Sequence, residues 1–99
     1  MTTQLSQYTE RLTPLMRRYG VIKAAFFGSL VSGTFRKGQS DVDILVLPPR
    51  GMSLLDFIGL KQDIEDMMHM DIDLLSYNGI SPYLKKSILS NEQVFYETK

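Results

Sequence analysis

The chain has 99 residues, 43% of them hydrophobic, enough for one small domain over residues 1–99 with a single core. Eleven Lys and Arg side chains balance eleven Asp and Glu, which argues against a general nucleic-acid binder, since such a protein carries a basic excess. Cysteine is absent, so disulfides and thiolate zinc sites are excluded. No apolar run reaches the ~18 residues of a membrane span. The basic-then-apolar start of a signal peptide is also missing, so a cytoplasmic location is expected.

In chain order, Leu5, Tyr8, Leu12, Leu15, Met16 and Tyr19 recur at steps of three and four and predict one amphipathic helix over 3–19. Pro14 removes a backbone donor inside it, which predicts a kink or break near Thr13. Gly20 sits where a left-handed residue ends a helix. Val21 to Phe27 is β-branched and aromatic and too short for a helix, so it reads as a buried strand. Gly28-Ser29 closes it, and residues 30–36 form a short helix or turn. Asp41 to Leu47 is a second strand, with Asp41, Asp43 and Leu45 on one side and Val42, Ile44 and Val46 on the other; Pro48-Pro49 ends it.

Ser53 with Asp56 fits a capping box. Leu54, Phe57, Ile58, Ile64, Met67 and Met68 form the apolar face of the helix that follows, which runs to about residue 69. Asp71 to Ser76 reads as a third strand. Ser81-Pro82 is an N-cap with proline in the first helical position, opening a helix to about Ser90. Gln93 to Tyr96 is either a last strand or a docked tail. The order predicts an α+β fold, a small mixed sheet flanked by helices.

The chemistry centres on residues 26–46. Two like charges on one strand face repel, so Asp41 and Asp43, roughly 6.6 Å apart along a strand, need a reason. A magnesium ion bound through carboxylates and phosphate oxygens supplies one. Glycine lets backbone amides approach an anion closely, and a helix start favours negative charge, so Gly28 and Ser29 are candidate phosphate ligands. The glycine pattern fits neither a Walker loop nor a dinucleotide fingerprint. Asp73 is a third candidate carboxylate, for a metal or for a proton from an attacking hydroxyl. Asp71 lies on the same side of its strand, and spacing does not choose between them. Arg36 and Lys37 either meet phosphate charge or are solvated. Ser40 can hold Asp41 in place. His69 reads as the exposed end of a helix, and the methionines as core filler.

Gly28-Ser29, eleven residues, then Asp41-Val42-Asp43, with Asp73 on a later strand, resembles the DNA polymerase β-like nucleotidyltransferase superfamily, and within it the minimal nucleotidyltransferases. The resemblance covers nearly the whole chain, down to the Ser-Pro-Tyr-Leu-Lys-Lys-x-Ile helix and the final Val-Phe-Tyr-Glu. It implies a polymerase β-like core that transfers a nucleoside monophosphate, AMP from ATP, to a hydroxyl. Gly28 and Ser29 would hold the β- and γ-phosphates, with Ser40 and Arg36 beside them. Asp41, Asp43 and Asp73 would be the catalytic carboxylates and the ligands of one or two Mg2+ ions.

Many minimal members resemble the antitoxin half of a toxin–antitoxin pair whose partner is a helical HEPN-domain ribonuclease, adenylylated by some of them. The resemblance therefore implies a HEPN-type toxin as partner, in a homo- or hetero-oligomer. The alternative is a catalytically weak binding module that neutralises by occlusion. Two features point that way: Leu30 and Ser32 stand where many relatives have arginines, and so small a chain has no second domain to close over substrates.

Overall fold

The computed structural model describes residues 3–28 and 42–98. In chain order these form α1 (Thr3–Arg18), β1 (Lys23–Phe27), β2 (Val42–Leu47), α2 (Leu54–Met68), β3 (Ile72–Ser76), a short 3-10 turn (Tyr77–Gly79), α3 (Pro82–Ser90) and β4 (Gln93–Glu97). The sheet order is β3-β2-β1-β4. β1 runs antiparallel to β2 and to β4, while β2 and β3 are parallel, so the sheet is mixed, as expected. The alternative left open for residues 93–96 resolves as a strand.

Local signals end most elements where the sequence puts them. Gly20 takes φ +73°; its N–H meets the Arg17 carbonyl at 3.1 Å and the Val21 N–H meets that of Met16 at 2.9 Å. These two bonds make a Schellman end to α1. The Ser53 hydroxyl accepts from the Asp56 N–H at 3.1 Å and the Ser81 hydroxyl from the Tyr83 N–H at 3.3 Å, the capping bonds expected at α2 and α3. His69 is exposed and left-handed just after α2.

Two expectations change. α1 runs unbroken through Pro14. Pro14 and Glu10 are both exposed, so water can serve the carbonyl that proline leaves without a donor. Leu12, Leu15 and Met16, buried on either side of it, hold the helix to the sheet. The apolar face of α2 also differs. Its buried residues are Leu60, Ile64 and Met68, whereas Leu54 and Ile58 are 74% and 52% exposed and Leu55 is 81% exposed. The first turns of α2 begin beside Pro48, at the end of β2, and their leucines have no described element over them.

The sheet has two unequal faces. Ala24 and Phe26 of β1, Val42, Ile44 and Val46 of β2, and Ile72 and Leu74 of β3 join Tyr8, Leu12, Leu15 and Met16 of α1 and Leu60, Ile64 and Met68 of α2 in the main core. Phe26 adds stacking on Phe95, 4.4 Å between ring centres. The other face holds a small cluster, Ala25, Phe27 and Leu45, covered by Tyr77, Ile80 and Ile88. The alternation expected along β2 is the one observed.

Candidate active site

Asp43 and Asp73 sit on the face of the small cluster. Phe27 of β1 lies opposite Asp43 of β2, and Asp43 lies level with Asp73 of β3. Residues paired across neighbouring strands share a face, with strands about 4.8 Å apart. Asp43 and Asp73 are therefore side by side, Asp43 half-buried and Asp73 exposed on the edge strand. The register separates the two candidates left open in the third strand. Asp73 is the one level with Asp43, while Asp71 precedes β3 and uses its carbonyl to accept the Val42 N–H at 3.2 Å. Glu65 of α2 accepts the Ile72 N–H at 3.1 Å, which pins the start of β3 next to Asp73.

Gly28 follows directly, in a left-handed turn at φ +71°. A Cβ built on it would lie 2.1 Å from Asp43 Oδ2 and 3.0 Å from its Cγ. The turn thus presses bare backbone against the carboxylate, and only glycine satisfies both the dihedral and the space. Oxygen donors on one face with no thiol or imidazole beside them suit a hard cation such as Mg2+. Among the described residues no three acidic, His or Cys side chains group as metal ligands. Asp41, Ser29, Ser40 and Arg36 lie outside the described residues.

Sequence reasoning missed one wall of this site. A cleft of about 260 Å³ lies against Gly28, bounded by Phe27 and by Ser87, Ile88 and Asn91 of the α3 end. The available signal was the four-residue step from Ser87 to Asn91, one helical turn. It also missed the group that seats this wall. Glu92 Oε1 accepts from the Tyr77 hydroxyl at 3.1 Å and pairs with Lys23 Nζ at 3.4 Å. Lys23 Nζ also lies 5.2 Å from the centre of the Tyr77 ring. Burial, then the charge and hydrogen bond of Glu92, push the Tyr77 hydroxyl pKa well above its usual value.

Residues 10–99 match the family model described as Polymerase beta, Nucleotidyltransferase. The chain belongs to this nucleotidyltransferase family. A relative from Methanocaldococcus jannaschii, provisionally named a protein adenylyltransferase, is 39% identical over 90 residues, 91% of this chain and 95% of its own. A solved structure provisionally named a minimal nucleotidyltransferase is 31% identical, with a TM-score of 0.80 over 91% of each chain. The nucleotidyltransferase fold also recurs, at 19% identity and a TM-score of 0.71 over 94% of this chain and 72% of the other, in a tri-AMPylated Shewanella oneidensis HEPN toxin complexed with an MNT antitoxin. In this nucleotidyltransferase no described helix is long and apolar enough to cross a membrane.

Proposed function

We infer that the chain is a protein adenylyltransferase that moves AMP from ATP to a hydroxyl on a partner protein, as the antitoxin of a HEPN-type toxin. The observation that supports this most is the row Gly28, Asp43, Asp73 across β1, β2 and β3. The relative's adenylyltransferase name and the AMPylated HEPN complex support the choice of AMP and of partner.

The row has a direction. Gly28 and Ser29 offer backbone amides and a hydroxyl to the β- and γ-phosphates. Asp73, exposed on the edge strand, is the carboxylate an incoming hydroxyl reaches from outside. The acceptor oxygen bonds to the α-phosphorus, the bond to the bridging α–β oxygen breaks, and pyrophosphate leaves. Asp73 takes the hydroxyl proton. Asp41, Asp43 and Asp73 are the residues that would hold one or two Mg2+ ions, which when bound neutralise phosphate charge and favour the entering and leaving oxygens.

The test is transfer of label from α-labelled ATP, with magnesium, to whatever protein is encoded next to this chain. Label that disappears in Asp43→Asn and Asp73→Asn is the expected result. Equal neutralisation of the neighbour by wild type and both variants, with no label, overturns the enzyme reading and leaves occlusion.

A further inference from the structure

We propose that the start of α2 and the turn before it form a docking surface for an acidic segment of the partner protein, anchored by one apolar side chain of that segment. This rests on the reading above that the chain acts on a protein, and it does not depend on the transfer chemistry.

The surface joins two hollows at the end of the sheet away from the carboxylates. Asp43 is near the start of β2 and Pro48 follows its end, five residues further on and roughly 17 Å along the strand. One hollow is an apolar groove of about 390 Å³ with Pro48, Leu54 and Phe57 in its walls. Leu54, Leu55 and Ile58 are all more than half exposed. Three large apolar side chains left open within little more than one helical turn make a patch, not scattered exposure. The second hollow, of about 350 Å³, is lined by Arg18, Arg50 and Asp56. The two hollows share Met52. Their common wall is fixed, because the Met52 N–H donates to the Pro49 carbonyl at 3.2 Å. The end of α1 lies against the same turn: a Cβ built on Gly20 would be 3.6 Å from Pro49 Cγ. That approach sets Arg18 beside Arg50.

Charge identifies the occupant. The ion pairs among the described residues are Lys23–Glu92 and Lys61–Glu65. Neither arginine of the second hollow belongs to one, so two guanidinium forks are available to carboxylates. Asp56 gives its N–H to Ser53, and among the described residues its carboxylate takes no hydrogen bond. That carboxylate suits a donor such as a peptide N–H. A phosphate surface, of lipid or nucleic acid, brings neither such a donor nor an apolar group for the groove. A second copy of this chain would set the same surplus of arginine across a two-fold interface, like charge against like. A polypeptide with an apolar residue flanked by Asp or Glu supplies the anchor, the carboxylates and the N–H donors together.

Distance gives the surface its role. An anchor so far from Asp43 touches neither the phosphates nor the acceptor hydroxyl. It holds the acceptor protein beside the carboxylates and raises its local concentration, so it acts on KM and not on kcat.

The experiment measures binding of the protein encoded next to this chain by titration calorimetry, and transfer of label to it. Leu54→Ser and Arg50→Glu are each expected to weaken binding at least about tenfold, as loss of an interface anchor does. Arg50→Glu should also flatten its salt dependence. In transfer, both raise KM for that protein and leave kcat unchanged, whereas Asp43→Asn binds it within about twofold of wild type. Both surface residues are exposed, and thermal melts establish that the variants fold. Binding that neither variant weakens, with label still transferred, overturns the docking surface and leaves the transferase reading intact. Binding that both variants weaken, without any transfer of label, keeps the surface and overturns the transferase reading. Self-association of the chain, or its retention on anionic vesicles, that both variants abolish overturns the proposal in favour of a second copy or a lipid surface. A neighbour that is neither bound nor labelled overturns both readings.

Discussion

The two faces of the sheet are made by the same strands and serve opposite ends. Along β2, Val42, Ile44 and Val46 turn to α1 and α2 and are fully enclosed. Asp43 and Leu45, between them, turn to the other face, where, among the described residues, Tyr77, Ile80 and Ile88 pack on Ala25, Phe27 and Leu45. The thick face holds the fold, because apolar burial and packing stabilise in proportion to the area enclosed. The other face carries charge at one end of the strands, with Asp43 half-buried and Asp73 exposed.

Adjacent residues on β2 offer the sharpest way to separate the two roles. Asp43→Asn should reduce AMP transfer about a thousandfold, on the order of 4 kcal/mol in the barrier, while the melting temperature moves little; transfer rate and calorimetry read the two sides. Ile44→Ala, one residue on, should lose about 3–4 kcal/mol of stability by urea unfolding, because the cavity lies under two helices. If the two variants exchange effects, the division between faces is wrong.

Gly28→Ala joins the faces. It forces an alanine into φ +71° and a methyl onto Asp43, for a loss of about 2–3 kcal/mol together with loss of transfer. An alanine variant with full transfer would break the packed turn as a feature of the site. Tyr77→Phe should lose only about 1 kcal/mol, the net value of a partly buried hydrogen bond, and it carries a pH signature. The hydroxyl of Tyr77 holds its proton more tightly folded than unfolded. Its contribution is therefore complete below the unfolded value of about pH 10 and is lost as pH rises above it. Tyr19, raised by its hydrogen bond to Asp63 and then by burial, acts in the same direction. Wild type should lose stability above about pH 10, and the Phe variant should show a shallower slope. The smallest effect belongs to Leu55→Ser, where a side chain 81% exposed should change stability by no more than about 0.5 kcal/mol.

The legible parts of this protein were local. The glycine at 20, the serines at 53 and 81 and the proline at 82 act within one turn of chain, so their bonds follow from residue type and spacing alone. The alternation of β2 was legible for the same reason, since neighbouring side chains on a strand must point opposite ways. Gly28 could be chosen as a turn residue, but not its contact with Asp43, which depends on how β1 and β2 align. Of the kink or break expected near Thr13, the break is absent, and the exposure of Leu54 and Ile58 was misjudged because periodicity marks an apolar stripe without saying where the sheet beneath it stops.

By itself the amino-acid sequence determined α1, β1, β2, α2, β3 and α3 and their order, the faces of β2 and the residue types able to bind phosphate and metal, all of which act over a few residues; that residues 93–97 form a strand was decided by pairing with β1. Tertiary structure alone decided that Asp73 rather than Asp71 stands level with Asp43, since strand register comes from pairing across 30 residues of chain. It alone brought Asn91 to Gly28, 63 positions away in the chain, because α3 lies on the small-cluster face of the sheet through Ile88.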